Sequence, residues 1–181
     1  LLGFTETTYP AERDLIREYL TISDTEQLRT AAHALLGQAT TRFVYDFKRY
    51  QNSAQLRQEQ FSSEPCAAVK FLPMVVGSIV REQHAVTNPQ SLLQLGFAYS
   101  DGMGKVAMTK VQAEPGEALQ MRIDADCNFS IETVNTGTNL RWIGNGRTIS
   151  NNKGNPVKQY EPYFSVNPFY EDAKEMVERG V

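Results

Sequence analysis

Residues 119–133 alternate almost without fault between apolar and polar side chains. Leu119, Met121, Ile123, Ala125, Cys127, Phe129 and Ile131 fall on one parity, and Gln120, Arg122, Asp124, Asp126, Asn128, Ser130 and Glu132 on the other. Successive strand side chains point to opposite faces of a sheet, so the segment reads as β-structure with one dry and one wet face. At about 3.3 Å per residue, a single strand of this length would far exceed the usual five or six residues. The parity is the same at both ends. That excludes a two-residue hairpin loop, and allows a three-residue loop around residues 125–127 or one bent strand. No glycine marks a turn, which favours the bent strand.

The rest of the second half also has a period of two. Leu93, Leu95, Phe97 and Tyr99 share a face, and Ser100-Asp101-Gly102-Met103-Gly104 turns the chain into residues 105–113. Glu114-Pro115-Gly116-Glu117 suits a type II turn. Asn145-Gly146 is a strong hairpin signal that would set Trp142 opposite Ile149. Residues 157–166 read as an edge strand, because Pro162 cannot donate to a ladder.

Before residues 87–91 the pattern is helical. Pro10 opens a helix over 11–20 with Leu15, Ile16, Tyr19 and Leu20 on one stripe. Ser23-Asp24-Thr25-Glu26 resembles a capping box. The helix it starts is expected to run to about Tyr50, since Leu28, Ala32, Leu35, Ala39, Phe43, Phe47 and Tyr50 recur every three or four residues. Residues 65–84 fit a kinked buried helix around Pro73 or a helix followed by a β-branched strand; the kinked helix is favoured. A terminal helix over 168–179 is marked by Phe169, Tyr170, Ala173, Met176 and Val177, with Gly180 as its stop.

The expected fold is therefore α+β: N-terminal helices packed on a mainly antiparallel C-terminal sheet of about five strands, with a short C-terminal helix. At 181 residues the chain is expected to form a single domain, residues 1–181, with a helical half (1–88) and a β-rich half (92–166). The chain starts with Leu, as a processed or trimmed product would; removal of a targeting segment or a trimmed boundary both account for it, and the former leans towards an extracytoplasmic, organellar-lumen or particle-associated setting.

Chemical motifs are sparse. Asp124-Ala125-Asp126 imitates the start of a calcium loop, but the sixth and twelfth positions hold Phe129 and Asn135 where a glycine and a bidentate Glu are required. Gly102-Met103-Gly104 precedes a strand-like run, whereas a dinucleotide fingerprint must open a helix. His33 and His84 lie on separate segments with no partner ligands at useful spacing. Cys66 and Cys127 have no metal-type spacing; they are small buried hydrophobes or a candidate disulfide. No cofactor or metal is called for, and no catalytic residue stands out.

The net charge of −3 is spread along the chain without a basic cluster, so nucleic-acid binding is not expected. The apolar run over 67–80 is too short, and too interrupted by Lys70 and Pro73, to span a bilayer. What remains is the aromatic content of the C-terminal third. Trp142, Tyr160, Tyr163, Phe164 and Tyr170 are mostly packing residues, yet on a partly exposed edge they would make a partner-docking surface.

The function this favours is a non-catalytic interaction protein, a structural, assembly or accessory subunit with a protein partner or a second copy of itself. Two alternatives stand beside it. One is a ligand-binding or sensory domain with an apolar pocket between helices and sheet; the other is an enzyme with no recognisable motif.

Overall fold

The computed structural model describes residues 10–60, 72–101, 104–123, 129–145 and 148–171. Among these residues, three short helices, α1 (Pro10–Tyr19), α2 (Thr25–Leu36) and α3 (Arg49–Gln60), accompany ten strands. The strands are β1 (Thr41–Asp46), β2 (Met74–Arg81), β3 (Leu93–Ser100), β4 (Val106–Ala113), β5 (Glu117–Ile123), β6 (Phe129–Asn135), β7 (Arg141–Asn145), β8 (Thr148–Ser150), β9 (Pro156–Gln159) and β10 (Tyr163–Ser165). Eight of them form one sheet in the order β1-β2-β3-β4-β7-β10-β5-β6, and β8 and β9 form a small separate ribbon. The large sheet is mixed: β10 runs parallel to β5, and its other neighbours are antiparallel.

This corrects the expected architecture of helices on a five-stranded antiparallel sheet. The division between a helical and a β half fails because β1 and β2 both come from the first half, β1 pairing with β2 and β2 with β3 of the second. The long helix expected from residue 23 to Tyr50 stops at Leu36. Asp24, rather than Ser23, caps its start by accepting from the Gln27 N–H at 2.9 Å, and Gly37 ends it at φ 55°. That conformation is cheap only for glycine. Beyond it, Phe43, Tyr45 and Phe47 follow a period of two, whereas Phe43, Phe47 and Tyr50 also fit a helix. The aromatics alone therefore did not discriminate.

The favoured kinked helix over 65–84 is likewise corrected, since Met74–Arg81 is a strand, as its β-branched content allowed. Residues 61–71 lie outside the described residues. The bent strand over 119–133 is instead a hairpin of β5 and β6. Its pairs run from Glu117↔Asn135 to Ile123↔Phe129, so its register is centred on Asp126, where the loop alternative placed it.

Two further pairings differ. β7 lies between β4 and β10 and does not pair with β8, so Trp142 is not opposite Ile149. Pro162 falls in the gap between β9 and β10, and β10 is an interior strand of the large sheet rather than an edge. Pro168–Glu171 is irregular where the terminal helix was expected to begin, and residues 172–181 lie outside the described set.

The core sits between α1, α2 and one face of the sheet. Tyr19, Leu20, Leu28 and Leu35 from the helices meet Val44, Ile79, Leu95, Phe97 and Trp142. The Tyr19 ring stacks on Phe97 with centroids 5.6 Å apart, and Phe97 meets Trp142 edge-on at 5.4 Å. Aromatic pairs of this kind each contribute about 0.5–1.5 kcal/mol beyond area burial.

Arg81 ties the loops at this end together. Buried at the end of β2, it donates to the carbonyls of Gly37, Ala39 and Pro89. At the start of α2, the Thr25 Oγ1 accepts from the Leu140 N–H at 2.7 Å, while Asn139 Oδ1 accepts from the Thr25 N–H at 3.1 Å.

Candidate interaction surface

The strand registers define two adjacent rows of side chains across six strands. One row reads Val44–Gly77–Phe97–Lys110–Gly144–Tyr163, and every residue in it is buried. The next row reads Phe43–Ser78–Gly96–Val111–Ile143–Phe164, and none of its residues is buried. One step along each strand thus crosses from the core to an open face. The open row carries no charge. Phe43, Val111 and Phe164 expose 53%, 49% and 37% of their surface. Its neighbours Tyr45, Val76, Ala98 and Thr109 continue the same weakly polar surface.

This row is uncharged across six strands, whereas antiparallel sheets facing water normally alternate apolar-in with polar-out; the charged residues of the same face, Arg141, Arg122 and Glu132, lie outside it. Beside this row lies Arg141, whose guanidinium lies 3.7 Å from the centroid of the Phe164 ring and donates to the Glu117 carbonyl.

Of the aromatic residues singled out in the sequence, Trp142, Tyr160 and Tyr163 are buried. Phe164 is on the open face, and Tyr170 is half-buried with its ring 5.6 Å from that of Tyr99. They do not form one patch, because the strand parity of β10 sends Tyr163 and Phe164 to opposite sides. Phe43 and Val111 complete the open row and were not identified from sequence; only the registers align them with Phe164. Cys66 and Cys127 both lie outside the described residues.

Under the sheet, Tyr163 lies against Gly144, where an added Cβ would come within 2.6 Å of the ring. The Tyr163 hydroxyl donates to Glu171, and Lys110 Nζ donates both to Glu171 and to Ser165 Oγ, the latter at 2.8 Å. Lys110 is wholly buried. Because Met108 and Lys110 share one parity of β4, this face brings a lysine into the core, where it can persist only with an anionic partner and its hydrogen bonds satisfied.

Chemistry elsewhere is dispersed. His33 on α2 and His84 in the β2–β3 loop stay apart. Among the described residues no three His, Cys, Asp or Glu side chains gather into a metal-type cluster. Burial, and secondarily the Arg81 charge, hold the His33 imidazole below its ordinary pKa. Burial raises the Tyr19 and Tyr99 hydroxyls far above theirs, and the Tyr99 hydroxyl donates to the Pro168 carbonyl at 2.7 Å.

Aromatic and aliphatic side chains fill the space between helices and sheet. Two open clefts lie at its margins: one of about 440 Å³ beside Phe47, Tyr50, Met74 and Tyr170, and a polar one of about 540 Å³ beside Thr25, Arg29, His33 and Asn139. Among the described residues, no helix is long and apolar enough to cross a membrane.

No protein-family model matches the chain, and no curated protein matches it. Solved structures do share its fold. The TcdB2-TccC3 crystal structure aligns with a TM-score of 0.52 at 21% identity, over 84% of this chain and 6% of that one. TcdB2-TccC3 without its hypervariable C-terminal region gives 0.55 at 18% identity, over 77% and 8%. TcdB2-TccC3-Cdc42 gives 0.51 at 18% identity, over 75% and 8%. The chain therefore spans less than a tenth of the chains it resembles.

Proposed function

We propose that the chain is a non-catalytic interaction module, a structural or accessory unit that contributes one β-layer to a larger protein assembly. The observation that carries this reading is the uncharged open row Phe43–Ser78–Gly96–Val111–Ile143–Phe164, set one residue from a fully buried row. A face of that composition gains free energy when a second layer covers it, at about 25 cal/mol per Å² of apolar surface removed from water. The likeness to TcdB2-TccC3 supports the reading at the level of fold: a similar sheet occurs there as a small part of a far longer chain.

Phe164 and Val111 are the docking residues in this account, with Phe43 at the margin; Trp142, Tyr160 and Tyr163 support them from the core. Purification of the protein from its native source under non-denaturing conditions tests the proposal. A stoichiometric partner or a larger complex is the expected result. A strictly monomeric species with no stoichiometric companion would remove the basis for it.

A further inference from the structure

Among the described residues, β6 ends the sheet on the side away from the helices. The register shows which of its backbone groups face outward. The Thr136 N–H donates to the Gly116 carbonyl, so positions 116 and 136 form a hydrogen-bonded pair. Bonded and non-bonded pairs alternate along an antiparallel ladder. Ala118/Val134, Gln120/Glu132 and Arg122/Ser130 are therefore bonded, and the N–H and C=O groups of Ile131 and Thr133 point away from β5.

Natural edges are commonly blunted by lysine, proline or a bulge. The β6 sequence, Phe-Ser-Ile-Glu-Thr-Val-Asn, has no lysine or proline, and its pairing with β5 shows no register shift. The row Gln112–Trp142–Ser165–Leu119–Thr133 carries the helix-covered side of the sheet out to this hairpin. The helices themselves pack on β1, β2 and β3. On the hairpin, Leu119, Met121 and Ile131 are only half-buried. Glu132 is the single charge on β6, and Arg122 Nε meets it diagonally across the ladder at 2.7 Å.

We infer that β6 is an acceptor edge for an extended segment of another polypeptide, whose chemistry repeats that of β5. The added strand places apolar side chains at alternate positions beside Ile131, and an arginine or lysine on the opposite side within reach of Glu132. Strand addition of this kind draws its affinity from main-chain hydrogen bonds and its selectivity from the alternate side chains. The inference rests on the reading of the chain as a module of a larger assembly, and names the chemistry of one partner.

The test uses a fluorescent peptide with the β5 sequence Glu-Ala-Leu-Gln-Met-Arg-Ile and the full chain, followed by anisotropy. Saturable binding is expected below millimolar protein. Replacing the peptide arginine by glutamate should weaken it several-fold, about the effect of reversing one cross-strand charge pair. Thr133→Pro removes an outward N–H and should weaken binding about tenfold. N-methylating the peptide on the amides that face β6 should have a comparable effect, and keeps the test decisive if the proline variant does not fold.

Absence of binding at millimolar concentration, or binding indifferent to all three changes, overturns the inference. So does a dimer of the chain that Thr133→Pro dissolves, because β6 would then take a second copy. If the peptide fails while the native protein still purifies with a stoichiometric partner, the acceptor edge is wrong and the broader reading stands.

Discussion

Lys110 Nζ and the Glu171 carboxylate form an ion pair beneath the sheet, with the lysine wholly buried and both groups bridged to β10, through Ser165 and Tyr163 respectively. The pair pins the irregular segment after β10 to the centre of β4. Lys110→Met removes this cation from the buried Glu171 carboxylate, at a cost of about 3 kcal/mol. Lys110→Met combined with Glu171→Gln should recover a large part of that loss. Denaturant unfolding of the two variants measures the difference; equal stability of the single and double variants would show that the charges are not coupled.

Gly144 is the floor on which Tyr163 rests. Gly144→Ala forces the ring away from its contact, and with it the hydroxyl that donates to Glu171. Overpacking of this kind costs about 1–3 kcal/mol. The loss should appear as a lower denaturation midpoint with an unchanged slope.

Arg81 links three carbonyls from two loops. Arg81→Met keeps much of the aliphatic stem but abandons those acceptors, and should destabilise the fold by about 2–4 kcal/mol. Hydrogen exchange should show the greatest loss of protection around residues 37–40 and 88–91. Uniform loss across the sheet would contradict a local anchoring role.

How much of this was visible beforehand follows from what each feature depends on. The start of α2 and the strand periods of β3, β4, β5 and β6 depend on local chemistry and were legible; a break at Pro115-Gly116 was too, but Gly116 does not take the positive φ that the expected type II turn requires. The nature of β1 was not, because Phe43, Phe47 and Tyr50 satisfy a helical spacing while Phe43, Tyr45 and Phe47 satisfy a strand. Gly37 was the signal that decided between them. The open row was also illegible, since Phe43, Val111 and Phe164 come together only through the non-local strand order. Pro162 suggested an edge but marks a break between strands, which allowed β10 to enter the middle of the sheet.

His33 has its pKa lowered from 6.5 in the folded chain, first by burial and then by Arg81. The unfolded chain therefore takes up a proton at higher pH than the folded one. Stability should fall as pH drops below about 6.5, and the fall should end once both states are protonated. The effect is small because the ring is only half-buried and solvent screens it. His33→Gln should flatten this part of the stability–pH curve; superimposable curves would exclude the contribution.

The central claim is that the open face of the sheet is covered in the working protein. Benzoylphenylalanine placed at Phe43 or Phe164 substitutes one aromatic for another on that face, while the same residue at Val157 of β9 provides an exposed control outside the large sheet. Irradiation in the native source should give a discrete cross-linked species from positions 43 and 164 and none from 157. No cross-link from the sheet positions, or equal cross-linking from all three, would contradict the account.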